Sequence, residues 1–128
     1  SPYQNRVWKP VIAAVNGLCV GGGHHFVVDA DIILASRNAS FVDTHVNVGM
    51  VGALENLGLA KRLPLGTALR MTLQGKHFRL GAERAHQLGL VDELVDRPSD
   101  LLPLAETMAV QMAANSPTVS SNWRRMCG

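Results

Sequence analysis

The sequence predicts an α/β fold for its 128 residues. Two short apolar runs rich in β-branched residues, VIAAVN at 11–16 and DIILA at 31–35, read as fully buried strands of a parallel sheet. From about residue 52 onward apolar residues recur at helical spacing, so the period changes from sheet to helix along the chain. Glycine and proline punctuate both halves at the places where elements must stop. Strands interleaved with helices, with no internal repeat, low-complexity tract or linker, make one α/β domain.

The elements follow in order. Lys9-Pro10 precedes the first strand and Asn16-Gly17, a turn signal, closes it. Gly21, Gly22 and Gly23 then open into HHFVVDA, a short helix. DIILA is the second strand, and SFVDTHV at 40–46 is read as a third, shorter one. GALENLGLAKRL at 52–63 is a helix stopped by Pro64. LGTALRMTLQG at 65–75 carries Leu65, Leu69 and Leu73 at every fourth position and ends on a glycine, as a helix C-terminus does. GAERAHQLG at 81–89 is a short helix with Gly89 as its stop, and LVDELV at 90–95 alternates as a strand does. SDLLPLAETMAVQMAAN at 99–115 puts Leu101, Leu104, Met108 and Met112 on one face, with Pro103 in the first turn. Ser116-Pro117 starts a last helix by its cap-plus-proline pattern.

Composition excludes several classes of function. With 47% hydrophobic and 17% charged residues and a formal net charge of +2, the chain is globular, not disordered. It has no basic stripe for nucleic acid and no apolar run of the roughly 18–20 residues that span a bilayer. The opening SPYQNRVWKP lacks the apolar stretch of a secretory signal. Cys19 and Cys127 make no disulfide framework; two reduced thiols point to the cytoplasm. A chain that begins at Ser1, not Met, is expected to be a piece of a longer one.

Three glycines between a buried strand and a helix free the backbone for positive φ and for close approach of a ligand. The helix aims unpaired N–H groups back at the loop, where they stabilise negative charge. Phosphate binding and an oxyanion hole for a carbonyl becoming an enolate both use such a place. Neither GxxxxGK[ST] nor GxGxxG is present, so the phosphate fingerprints fail. A tight turn without a ligand stays open on the glycines alone.

KPVIAAVNG…GGG, DADIILAS and ASF together resemble the core of the crotonase superfamily, the enoyl-CoA hydratase/isomerase proteins. LQGKHFRLGAERAHQLGLVDELV and ANSP resemble later segments of that family, in the same order. The likeness runs from about Lys9 to Pro117. It implies a spiral of ββα units over residues 1–97, the second half of an α/β core, and at 98–128 the start of a C-terminal helical region. It implies acyl-CoA or enoyl-CoA substrates, with coenzyme A as part of the substrate and no other cofactor or metal, and a homotrimer or hexamer. It implies that the Gly22 N–H is one of two donors to the thioester oxygen, with Gly21 and Gly23 lining the substrate. The second donor and much of the coenzyme A surface lie, in the family, upstream of the matched segment.

The family's two acid–base glutamates fall, by the same matching, on His25 and His45. Adjacent helical residues point about 100° apart, so only one of His24 and His25 faces a given pocket; His25 is read inward and His24 as structural. A helix N-terminus disfavours imidazolium, which leaves His25 as a usable base, with His45 approaching it. Glu55 is read either as a first-turn glutamate complementing the helix dipole or as a group that orients His45. Asp31 and Asp43 are read as structural, Asp43 flanking His45 on the opposite side of an extended chain. A zinc site from His24, His25, His45 and Asp43 is geometrically poor, with adjacent ligands on one helix. His77 and His86 read as surface residues. Two alternatives to the hydratase/isomerase reading stand: a histidine-using hydrolase or C–C-cleaving member, and a non-catalytic module that binds acyl-CoA or a subunit.

Overall fold

A computed structural model describes residues 1–127. β1 (Ile12–Val15), β2 (Leu18–Val20) and α1 (Gly23–Val28) form one ββα turn. β3 (Ile32–Ser36), β4 (Ser40–Val42), a 3-10 turn at Val46–Val48 and α2 (Ala53–Arg62) form the next. β3 lies parallel to β1, pairing Ile12 with Ile32 and Val15 with Ala35. β4 lies parallel to β2, pairing Cys19 with Phe41. Each turn of the chain therefore adds one strand to each of two sheets. α3 (Leu65–Gln74) follows, then β5 (Leu80–Gly81), which pairs antiparallel with β4. α4 (Ala82–Gln87) leads to β6 (Glu93–Val95), parallel to β3. The sheets are thus β1-β3-β6 and β2-β4-β5, and α5 (Leu101–Ala113) and α6 (Pro117–Cys127) complete the described chain.

β3 explains why its sequence is an unbroken apolar run. Ile33 and Ala35 face the main core, which holds Phe41, Leu59, Met71 and Leu80, while Leu34 faces the other way onto Leu101 and Ala105 of α5. A strand covered on both sides has no polar face to alternate with. The α5 stripe does what its spacing predicts: Leu101, Leu104 and Met108 pack on that outer face. Pro103 sits in the first turn of α5.

Three expectations change. The stretch 40–46 is a strand only to Val42; the chain then turns, so His45 stands at the start of the 3-10 turn and not on a strand. β2 and β5 are additional strands of three and two residues. In α3 the buried side chains are Ala68 and Met71, whereas Leu65, Leu69 and Leu73 are exposed. The leucine spacing marks the helix correctly but names the face that this chain leaves uncovered.

Two buried or half-buried guanidinium groups fasten the site elements. Arg62 of α2 donates to the carbonyls of Val28 (3.1 Å) and Ala30, capping the C-terminal end of α1. Arg124 of α6 is buried and donates to Asp31, to Val7 O and to Asp29 O (3.2 Å). Asp31 also accepts the Val11 N–H at 2.7 Å, so its part is structural as expected. Cys19 is buried and Cys127 exposed, both free; burial pushes the Cys19 thiol up to about 11. Among the described residues no helix is long and apolar enough to cross a membrane.

Candidate active site

The three glycines divide their tasks. Gly21 has φ +49°, is buried, and donates its N–H to Val42 O at 3.1 Å. That is a left-handed position glycine adopts without strain. Gly21 therefore makes the turn, and its amide is committed to Val42 and not free to donate to a substrate. Gly22 is exposed, with φ −58° and ψ −20°, and a side chain there would meet nothing within 4 Å. Among the described residues no backbone or side-chain acceptor takes the Gly22 N–H. Gly23 is exposed and is the first residue of α1.

The two histidines of α1 separate as helical geometry requires. His24 is fully buried and stacks on Phe41, ring centroids 6.2 Å apart. Among the described residues neither of its ring nitrogens has a hydrogen-bond partner. Burial pushes its pKa below the ordinary 6.5; Asp43 and Glu55 pull upward and His45 adds to the lowering. The sign of the consequence is fixed. In the unfolded chain this imidazole binds a proton near pH 6.5 that the folded state refuses, so stability is full above that pH and declines as pH falls toward the folded value. His24→Met, which fills a similar volume without a titrating group, is expected to narrow the stability difference between about pH 7.5 and about pH 5.5. Urea unfolding at both pH values measures it; an unchanged gap would place the acid sensitivity elsewhere.

His25 is partly buried and lies between two carboxylates. Its Nδ1 is 3.5 Å from Glu55 Oε1 and its Nε2 is 3.2 Å from Asp29 Oδ2. The second approach is close but not aligned as a hydrogen bond, since Nε2 has no partner by geometry. His25, Val28, Leu54, Leu57, Gly58 and Trp123 line part of a cavity of about 820 Å³ beside α1 and α2. His45 and Gly22 are not on its wall, so the two imidazoles do not share this hollow.

His45 belongs to a second cluster. Its Nδ1 is 2.5 Å from Asp43 Oδ1, and its backbone N–H donates to the same oxygen at 3.1 Å. Asn56 donates to Asp43 Oδ2 at 2.9 Å and to Thr72 Oγ1 at 2.6 Å; the Thr72 hydroxyl donates to Ala68 O at 3.0 Å. Burial alone would raise the Asp43 pKa, but the hydrogen bonds from Asn56 and His45 outweigh it and hold the carboxyl below the usual range. The ring lies against the glycine turn: a Cβ built on Gly21 would be 3.9 Å from His45 Cε1.

Two sequence assignments are corrected here. Glu55 does not orient His45; it faces His25. Asp43 does not flank His45 from the opposite side; it bonds the ring. Residues two apart share a face even in an extended chain, so opposite sides were never to be expected; the turn after Val42 then folds the His45 ring down onto the carboxylate two residues before it. Neighbouring residues of α2 serve the two clusters separately, Glu55 reaching His25 and Asn56 reaching Asp43, as their divergence of about 100° dictates. Asn56, Thr72 and Asp29 are the residues that sequence reasoning left out, and it gives Asp43 a structural part only. The available signal was the Asp-x-His spacing, short enough for a side chain to bond its own neighbour in a turn.

Residues 5–126 match the family described as Enoyl-CoA hydratase/isomerase. The chain is 38% identical over 113 residues to an (E)-benzylidenesuccinyl-CoA hydratase of Thauera aromatica, covering 88% of this chain and 43% of that protein. It is 37% identical over 115 residues to a mevalonyl-coenzyme A hydratase of Aspergillus fumigatus, covering 89% and 42%. A crystal structure of an enoyl-CoA hydratase/isomerase from Mycobacterium paratuberculosis superposes with a TM-score of 0.85 at 42% identity, over 91% of this chain and 46% of that one. The expected crotonase-type ββα spiral is the fold observed. The chain spans about two fifths of the length of the curated relatives it matches.

Proposed function

The chain belongs to the enoyl-CoA hydratase/isomerase family, and from that premise we propose that it acts on acyl-CoA thioesters as a hydratase-type lyase in which histidines replace the acid–base glutamates. The observation that carries this reading is the Gly22 amide, exposed and unclaimed at the start of α1, with the His45 ring packed against the same turn. An N–H in that position can donate to a thioester oxygen as it gains charge, and such a donor strengthens as the enolate forms. A ring with one nitrogen committed to a carboxylate has its other nitrogen free to accept a proton. His45 is therefore the base. His25, with a carboxylate beside each ring nitrogen, lies on the separate cavity side of α1 and is given no proton transfer at the glycine turn in this reading.

The relatives named above carry coenzyme A thioesters in their names, which supports the substrate class; the reading takes coenzyme A as part of the substrate and adds no separate cofactor. The reading includes association of copies into a trimer or a pair of trimers, as the family resemblance implies; the exposed leucines of α3 are an uncovered apolar face. The test mixes the purified protein with enoyl-CoA thioesters of several chain lengths and follows loss of the conjugated chromophore. Turnover is expected, with a fall of about 10²–10⁴-fold in His45→Ala. Unchanged turnover in that variant removes His45 from the mechanism. Calorimetric binding across the panel with no turnover of any thioester supports the non-catalytic module instead.

A further inference from the structure

We infer that Asp43 is a positioning residue that locks His45 as its Nδ1–H tautomer, leaving Nε2 as the ring's only proton acceptor beside the glycine turn. The inference deepens the reading above, on which the catalytic part of it rests.

An ionised carboxylate only accepts, so the 2.5 Å contact between Asp43 Oδ1 and His45 Nδ1 requires the proton to be on Nδ1. A neutral imidazole carries one N–H, so Nε2 then holds the lone pair. The carboxylate is itself immobilised. Its side chain is almost fully buried, Oδ1 also accepts the His45 backbone N–H, and Oδ2 is held by Asn56, which Thr72 anchors to the backbone of α3. Its low pKa keeps the acceptor charged.

The ring is held by shape as well as by charge. A Cβ on Gly52 would stand 2.6 Å from His45 Nδ1 and 2.9 Å from Cε1, closer than side chains approach. Gly52 thus supplies a bare floor under one side of the ring, and Gly21 lies near Cε1. Rotamer, tautomer and position of His45 are all set before any ligand arrives, which is the arrangement a general base needs. A carboxylate that served only to cap the turn would need the backbone N–H contact and nothing more.

The proton step balances. The Nε2 lone pair forms a new N–H bond with a proton from attacking water or from a carbon next to the thioester carbonyl. When the proton leaves the carbon, the C–H electron pair becomes the enolate; when it leaves water, the O–H pair stays on the oxygen, an oxygen lone pair forms the C–O bond to the β-carbon, and the C=C π pair moves toward the thioester carbonyl as the enolate. The imidazolium so formed carries N–H on both nitrogens, and Asp43 offsets its charge without taking a proton.

Two measurements test this together. In ¹⁵N ring spectra of the wild type at about pH 7.5, His45 is expected to show a protonated Nδ1 and an unprotonated Nε2. The opposite pattern overturns the inference with no variant required, so it stands or falls even where a substitution does not fold. Asp43→Asn keeps an oxygen for the backbone N–H but can offer its amide to Nδ1. It is expected to move the proton to Nε2 and to lower kcat by about 10²–10⁴-fold with KM little changed. Wild-type kcat in Asp43→Asn overturns the catalytic part. A wild type that shows the Nδ1–H tautomer but turns over no thioester sinks the proposed function and leaves the tautomer assignment standing.

Discussion

Gly22→Pro is expected to lower kcat on a thioester substrate by about 10²–10³-fold, the usual cost of one missing oxyanion donor, while Gly22→Ala keeps nearly wild-type activity. The two substitutions differ in one group. Both place a Cβ where it meets nothing within 4 Å, and both suit the native φ of −58°; proline in addition replaces the amide hydrogen by its ring Cδ. Proline is tolerated in the first turn of a helix, where the N–H has no internal partner. Only proline removes that N–H. Because the Gly22 amide is bonded to no acceptor among the described residues, its loss costs the fold no hydrogen bond. Kinetics with thermal melting as the control separates the effects. A second reading needs no variant: the carbonyl stretch of bound acyl-CoA is expected to fall in the infrared difference spectrum of the wild type. Equal kcat in the two variants, or an unshifted carbonyl, would remove residue 22 from the anion-binding role.

Much of this architecture is legible in the residues because burial is two-sided. β3 is an apolar run because α5 covers one of its faces and the main core the other. The helix stops at Gly75 and Gly89 are legible for a local reason, their φ values of +58° and +92°. The illegible elements are those whose existence depends on a neighbour. β2 is three residues against a glycine run and becomes a strand only because β4 lies beside it. β5 is two residues opposite Ser40 and Phe41.

The site divides in the same way. The separation of His24 from His25 follows from helix geometry and holds: one ring is in the core, the other against the cavity. The partner of each ring was not legible, because it depends on where a turn falls. Had the strand continued past Val42, Asp43 and His45, two residues apart, would have shared a face of it with their side chains parallel. The turn instead brings nitrogen to oxygen. Glu55 faces His25 because α2 docks on α1, and the distance of that docking is set by two small features that no local pattern announces.

Those features are Gly58 and Val28, and Gly58→Leu is expected to cost about 3 kcal/mol, near the upper end for overpacking. A glycine inside a helix is unfavourable by about 1 kcal/mol relative to alanine, so α2 carries Gly58 against its own propensity. The reason is contact with α1. A Cβ on Gly58 would lie 2.6 Å from Val28 Cβ, a carbon fixed to the backbone and not the far end of a flexible chain. The clash cannot be relieved by a rotamer change; α1 must move away from α2. Gly58 is three residues after Glu55, and Val28 is three after His25, so each pair shares a helix face. The glycine contact and the His25–Glu55 contact are one turn apart in the same seam. Widening the seam separates the 3.5 Å His25–Glu55 contact as well as loosening the core. The expected result is a lower urea midpoint together with a changed His25 ring spectrum, and partial recovery of both in Gly58→Ala combined with Val28→Gly, where the opposing Cβ is gone. Loss of stability with an unaltered His25 spectrum would mean that α1 yields only at its C-terminal end, and that Glu55 is held to His25 by something other than helix spacing.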